Sequence, residues 1–109
     1  MNLRVILNST LFSLTLFTSV QSNAADSHLG GNVTNMTSYS GGLLIMLDSG
    51  VPTNCTGTSY GWMLIRAENK VMIAVVLTMF AMGKKSATIY TSGILGSGYC
   101  EINQYDPAE

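Results

Sequence analysis

The hydrophobic pattern of the chain is strongest over residues 68–83, ENKVMIAVVLTMFAMG, where an almost wholly apolar run lies between a polar start and a glycine. Glu68 and Asn69 can accept hydrogen bonds from the first N–H groups of a helix, and Gly83 can adopt the left-handed conformation that ends one. The run would span only about 22 Å as a helix, shorter than a membrane span, and it contains Lys70. The pattern therefore favours a core helix over a membrane-spanning one.

The faces of this predicted helix are unequal. At about 100° per residue, one narrow stripe carries small or polar side chains and the rest of the surface carries large apolar ones. The stripe consists of Lys70, Ala74, Thr78 and Ala81. A surface helix needs only one apolar face, so we expect this helix to be buried on two, one against its own sheet and one against a second copy of the chain. The alternative is a single intramolecular core with the small stripe exposed.

Five shorter segments have the alternation, or the β-branched and aromatic content, that is typical of strands. They are residues 32–39, 43–47, 60–66, 86–91 and 99–104. Asp106 and Pro107 are expected to stop the last strand, and residues 25–31, which contain the lone His28, are polar and predict a loose arm. The order is β-β-β-α-β-β, which predicts a small α+β domain.

Residues 1–24 have the pattern of a secretory signal peptide. Arg4 supplies a positive start, a hydrophobic centre follows, and residues 22–24 place small side chains at the cleavage positions. We therefore expect a single mature domain over residues 25–109, secreted or periplasmic in a bacterium and without a transmembrane segment.

Both cysteines, Cys55 and Cys100, lie in the predicted mature domain. An even number of cysteines in an oxidising compartment favours one disulfide over a redox or metal-binding role. The bond would close a loop of about 46 residues and stabilise the fold by about 4 kcal/mol in the chain-entropy account. Two cysteines and one histidine are too few ligands for a structural zinc ion, so no metal is expected.

The charged residues argue against several classes of function. The chain has five Lys and Arg residues against six Asp and Glu residues, and the predicted signal peptide contains one of the cations. A weakly acidic domain with scattered cations is a poor nucleic-acid binder. The acids do not pair in sequence, the serines lack a nucleophile elbow, and the glycines form no phosphate or dinucleotide loop. We expect neither an enzyme nor a cofactor.

The remaining aromatic, hydroxyl and amide side chains suit a sugar, because the C–H face of a sugar ring stacks on an aromatic ring while its hydroxyls form hydrogen bonds. The candidate ligand-binding residues are Tyr60, Trp62, Ser59 and Thr58. Tyr60 and Trp62 are two residues apart in a predicted strand and should share one face of it. The alternative is that each aromatic side chain packs in the core or in an interface.

The chain resembles the OB-fold binding subunits of pentameric bacterial toxins, most nearly those of the subtilase cytotoxin and pertussis type. The likeness runs from Cys55, in the loop before the third strand, through YGWMLI and the helix to GKKSATIYTSG. The chain is shorter than the subtilase-toxin subunit, and that family's sugar-contacting residues match no positions here.

The resemblance implies a five-stranded OB-like barrel with one central helix, and a homo-oligomer of five copies. It implies that the stripe of Lys70, Ala74, Thr78 and Ala81 faces a central pore or a neighbouring helix. It also implies binding of sialylated or other cell-surface glycans.

The leading hypothesis is an exported, non-catalytic module that binds a carbohydrate or protein partner. The alternative is a periplasmic or secreted structural or inhibitory protein that docks a protein partner through an exposed strand edge.

Overall fold

Five strands and one helix make up residues 27–107, the part of the chain that the computed structural model describes. The elements are β1 (Ser27–Tyr39), β2 (Gly42–Leu47), β3 (Met63–Arg66), α1 (Lys70–Ala81), β4 (Ser86–Ile94) and β5 (Cys100–Pro107). The order of the elements and the α+β class are confirmed. The predicted signal peptide, residues 1–24, lies outside the described residues.

The five strands close into a barrel in the order β1-β2-β3-β5-β4. β1 is long enough to serve two neighbours: its first half pairs with β4 and its second half with β2. All pairings are antiparallel except that of β3 with β5, which is parallel and consists of Met63 with Cys100 and Leu64 with Glu101. This β3–β5 seam is the shortest register in the barrel, so contacts outside the ladder contribute much of its stability.

The core lies inside the barrel and is covered by one face of α1. The strands contribute alternate side chains to it, because successive residues of a strand point to opposite faces. Its strand residues include Val33, Leu43, Ile45, Leu47, Met63, Ile65, Ile89 and Ile102. From α1, Val76 is fully buried in this core, and Met72, Ile73, Val75, Met79 and Phe80 pack against it while partly exposed.

α1 begins two residues later than the predicted start at Glu68. Asn69 occupies the N-cap position, but its side chain caps no N–H group within residues 27–107. Glu68 instead places its carboxylate 3.2 Å from the guanidinium of Arg66. The acceptor side chains expected to begin the helix therefore do not perform that role.

The end of α1 agrees with the sequence pattern. Gly83 has a φ of 78°, and its N–H donates to the carbonyl of Phe80 at 3.0 Å. The N–H of Lys84 donates to the carbonyl of Met79 at 2.9 Å, which completes a Schellman motif. The Lys85 ammonium lies 5.2 Å from the centre of the Phe80 ring. Glycine is needed here because the left-handed conformation is strained for other residues.

β1 and β5 both extend beyond the predicted strands. Residues 27–31 were expected to form a loose arm, but they begin β1, because β4 offers them antiparallel partners. His28 is held in this sheet with its ring 5.5 Å from that of Tyr90. β5 continues to Pro107, which pairs with Ala87 at the end of the ladder, where proline's missing N–H is tolerated.

β3 is shorter than predicted because the chain turns just before it. Ser59–Gly61 form one turn of 3-10 helix, and both Tyr60 (φ 56°) and Gly61 (φ 77°) have left-handed backbones. The strand therefore begins at Met63. The prediction that Tyr60 and Trp62 share one face of a strand is wrong.

Candidate binding surface

The segment between β2 and β3 is attached covalently to β5. Cys55 and Cys100 form a disulfide with an S–S distance of 2.00 Å, and neither side chain is exposed. The pairing predicted from the cysteine count is confirmed. Since Cys100 is also the residue that pairs with Met63, the disulfide joins this segment to β5 at the seam itself.

Thr58 fixes the same segment to the starts of both strands of the β3–β5 seam, at Trp62 just before β3 and at Cys100 in β5. Its hydroxyl donates to the carbonyl of Trp62 at 2.6 Å and accepts from the N–H of Cys100 at 2.8 Å. The residue is only 8 % exposed. One residue on, the Ser59 N–H donates to the carbonyl of Gly98 at 3.0 Å. Thr58 was predicted to contact a ligand, and the structure gives its hydroxyl two backbone partners instead.

A second polar connection ties the segment to β4. The Asn54 amide donates to the carbonyl of Thr91 at 2.8 Å, and the Thr91 hydroxyl donates to the Asn54 side-chain oxygen at 2.6 Å. Thr91 is fully buried, so this exchange satisfies a hydroxyl that would otherwise be costly to bury. The segment that carries the candidate residues is therefore held on a rigid support.

Tyr60 projects from the turn with 87 % of its surface exposed, more than any other large apolar or aromatic side chain among residues 27–107. It is also the one residue other than glycine in that range with a positive φ. Positive φ is uncommon for an aromatic residue and is found most often where the surrounding structure imposes it. Here the chain is fixed before Tyr60 by the bonds of Thr58 and Ser59 to β5 and the loop that precedes it, and after Tyr60 by the bonds of Trp62 to Thr58 and Ser59.

Trp62 and Tyr99 lie at the same level, just before the paired strands β3 and β5. Each immediately precedes an inward-pointing residue, Met63 or Cys100, and these two are paired in the parallel seam. Trp62 and Tyr99 are therefore neighbours at the start of two paired strands, one residue before each strand begins. Both are partly exposed.

The outer side of β2 and β3 also carries a covered aliphatic pair. Leu44 and Leu64 are paired across these strands and are 4 % and 3 % exposed, although they lie outside the core cluster. Tyr39, at the end of β1, has its ring 5.9 Å from that of Tyr99. This ring contact joins the end of β1 to the residue that precedes β5. We call Tyr39, Trp62 and Tyr99 the aromatic face.

An ion-pair network borders the aromatic face, because the strand register places Arg66 across Gly42 from Tyr39. Arg66 follows Leu64 by two residues and points outward, with its Nε 3.2 Å from a carboxylate oxygen of Glu101. The other oxygen of Glu101 accepts from the Ser92 hydroxyl at 3.1 Å. Arg66 also pairs with Glu68, so one guanidinium lies between two carboxylates. The network connects β3, β4 and β5 on the outer side of the seam.

Of the four candidate ligand-binding residues, three remain available to a ligand: Trp62 in the aromatic face, and Tyr60 and Ser59 in the turn beside it. The sequence placed Tyr39 and Tyr99 among the aromatic residues suited to a sugar but not among the candidate binding residues, and it did not assign Arg66 or Glu101 to this surface. No local signal places them there, because they meet only through strand pairing.

The predicted helix stripe lies on the uncovered side of α1. Lys70, Ala74, Thr78 and Ala81 are all exposed. Large apolar side chains share this side, with Val71 81 %, Leu77 46 % and Met82 60 % exposed. The uncovered side is thus broader and more apolar than the small stripe alone. Within residues 27–107 of a single chain, α1 is buried on one face and not on the two faces that the sequence predicts.

Grooves run along both flanks of α1. One, of about 470 Å³, is lined by Val71 and Val75 of the helix and by Gln104 of β5. The other, of about 370 Å³, lies between Leu77 and the end of β1 at Tyr39. Both grooves are continuous with the uncovered side of α1.

Asp48 holds the bulged part of β1 against the end of β2. One carboxylate oxygen accepts from the backbone N–H of Asn32 at 2.9 Å, and the other accepts from the Asn32 side chain at 3.1 Å. These bonds favour the charged form and lower the pKa of Asp48 below its ordinary value.

Residues 27–107 contain no group of three or more His, Cys, Asp or Glu side chains placed to hold a metal ion. In the same range, no helix has the length and apolar character to cross a membrane. The disulfide is compatible with an extracellular or periplasmic location.

Comparison of the chain with protein-family models, with curated proteins and with solved structures found no match in any of the three.

Proposed function

We propose that this protein is an exported, non-catalytic carbohydrate-binding module with an OB-like barrel. The observation that carries the proposal is the aromatic face of Tyr39, Trp62 and Tyr99, with the exposed Tyr60 beside it. Aromatic rings on a rigid support present flat apolar surface to the C–H face of a sugar without losing much side-chain entropy on binding. The disulfide and Thr58 supply that rigidity.

The barrel order supports the OB-like assignment. Five strands in the order β1-β2-β3-β5-β4, with the helix between the third and fourth strands of the sequence, match the arrangement that the toxin resemblance implies. In this proposal the predicted signal peptide directs the chain to the periplasm or the exterior, where the disulfide is stable.

The uncovered side of α1 supports assembly with further copies of this chain. Val71, Leu77 and Met82 are exposed on a helix whose other face is already in the core. Contact between copies would cover them, with Ala74 and Ala81 allowing close approach of two helices. A ring of five copies is the form that the resemblance implies.

Docking through a strand edge, the alternative considered from the sequence, has less support. Each strand of the closed barrel pairs with two others, so unpaired strand backbone is limited to parts beyond these registers, such as β5 after Glu101 on its β3 side. An uncovered helix face favours a partner that packs on α1 instead.

A glycan array tests carbohydrate binding. Wild-type protein is expected to bind a defined set of glycans, and Trp62→Ala and Tyr60→Asn are expected to lose that signal. Asparagine tolerates the left-handed backbone at position 60, so the second variant removes the ring without disturbing the turn. Tyr90→Ala is the matched control, because it removes an aromatic ring that stacks on His28, away from the aromatic face. Absence of any glycan signal, or equal loss in the control, would refute the proposal.

Light scattering tests the assembly. The wild type is expected to have the mass of several copies, and Ala74→Glu, which places a charge on the uncovered side of α1, is expected to be monomeric. Asn35→Glu is the control, since it adds the same charge at an exposed position of β1. A wild-type monomer would contradict this part of the proposal and leave the glycan test standing.

A further inference from the structure

We propose that the aromatic face selects neutral sugars over acidic ones, an inference that rests on the proposed carbohydrate function. It departs from the resemblance, which implies sialylated glycans among the ligands. The selection depends on the charges that surround the cation near the aromatic face.

Arg66 is the cation that borders the aromatic face, and its charge is already neutralised. Its Nε lies 3.2 Å from Glu101 and its Nη2 lies 3.2 Å from Glu68. Two carboxylates around one guanidinium leave a local net charge of −1. An acidic sugar brought to this border would meet net repulsion, since like charges within a few ångströms disfavour each other.

The other cations among residues 27–107 belong to α1 or to the residues just after it. Lys70 begins the helix, and Lys84 and Lys85 follow its end. Lys85 lies over the ring of Phe80, which packs against the core from α1. None of these side chains is part of the network that borders the aromatic face.

The same network suits the hydroxyls of a neutral sugar. A guanidinium has five N–H donors, and those of Arg66 that are not used toward Glu101 and Glu68 can donate to adjacent hydroxyls. The carboxylate oxygens have lone pairs beyond those that accept from Arg66 and Ser92. The ion-pair network next to the aromatic rings thus offers hydrogen bonds to the hydroxyls of a sugar, while the rings offer stacking to its C–H face.

Binding to paired glycans tests this selection. Each neutral oligosaccharide that the protein binds is compared with its sialylated or sulfated counterpart at physiological ionic strength. We expect the acidic member of each pair to bind about fivefold more weakly or worse, the size of a unit-charge repulsion at short range near a surface. Stronger binding of the acidic members would overturn the selection while leaving the carbohydrate function intact. No binding of either member would overturn both.

Glu101→Gln tests the cause. Glutamine keeps the shape and can accept from Ser92, but it releases Arg66 from one negative partner. Acidic glycans are expected to gain affinity relative to neutral ones by about fivefold. Asp106→Asn is the matched control, because it changes the charge by the same amount at an exposed position outside the network. An equal gain in the control, or no gain in Glu101→Gln, would show that Arg66 does not set the selection.

Discussion

Thr58 illustrates how one buried hydroxyl supports the candidate surface, because it bonds to Trp62, just before β3, and to Cys100, the first residue of β5. Thr58→Val keeps the shape but leaves the N–H of Cys100 without its acceptor. An unsatisfied buried donor costs about 1–3 kcal/mol, so we expect that loss in the free energy of unfolding measured with urea. Thr58→Ser keeps the hydroxyl and should lose much less. Equal stability of the valine variant and the wild type would show that the seam does not depend on this residue.

Asp48 gives the stability of the fold a specific pH dependence. Its pKa is lowered in the folded state by the bonds from Asn32, so its contribution is present above the unfolded-state pKa near 3.8 and is lost as pH falls through the folded-state pKa. We expect the stability advantage of the wild type over Asp48→Asn to be constant from pH 7 to pH 5 and to disappear below pH 3.8. Urea unfolding of both proteins across this range measures it. A stability advantage of the wild type over Asp48→Asn that grew as the pH fell would contradict this prediction.

At the scale of the element, replacing valine with alanine should reduce the free energy of unfolding by different amounts on the two sides of α1. Val76 is fully buried and Val71 is 81 % exposed. Val76→Ala should reduce the free energy of unfolding by about 2 kcal/mol, through lost transfer energy and the cavity left behind. Val71→Ala should change it by less than about 0.5 kcal/mol. Chemical denaturation of the monomeric Ala74→Glu background measures both without a contribution from assembly. Equal losses would mean that the helix packs differently.

The elements themselves were largely predictable from the sequence, and the errors have local causes. The end of α1 at Gly83 was predictable, because the left-handed residue that ends a helix is usually glycine. The short β3 was missed because the alternation in YGWMLIR is typical of a strand, whereas the backbone at Tyr60 is set by hydrogen bonds to residues far along the chain. The start of β1 was missed because residues 27–31 have little strand propensity and depend on β4 for their partner.

The candidate surface was less predictable than the fold. Tyr60, Trp62 and Ser59 were identified because they are adjacent in sequence and chemically suited to sugars. Tyr39 and Tyr99 join them only through the barrel order. A single sequence contains the periodicity of each strand, but it contains no signal for which strands become neighbours.

At the scale of the whole molecule, we expect the disulfide to affect both the stability of the fold and the binding of glycans. Replacing Cys55 and Cys100 together with serine should reduce the free energy of unfolding by about 4 kcal/mol in the chain-entropy account. It should also weaken glycan binding, because the segment that carries Tyr60 and Trp62 loses its covalent link to β5. Reduced wild-type protein should match the double variant in urea unfolding and in glycan binding. Full glycan binding by a reduced, folded protein would show that the binding surface does not depend on the disulfide.

Trp62 is the single tryptophan of the chain and lies in the aromatic face, so its fluorescence reports directly on the central claim. We would titrate the protein with the strongest neutral ligand from the array and record tryptophan emission. We expect a saturable change in emission whose midpoint equals the affinity measured by calorimetry, and no binding to Trp62→Ala. A glycan that binds by calorimetry but leaves the emission of Trp62 unchanged would contradict it.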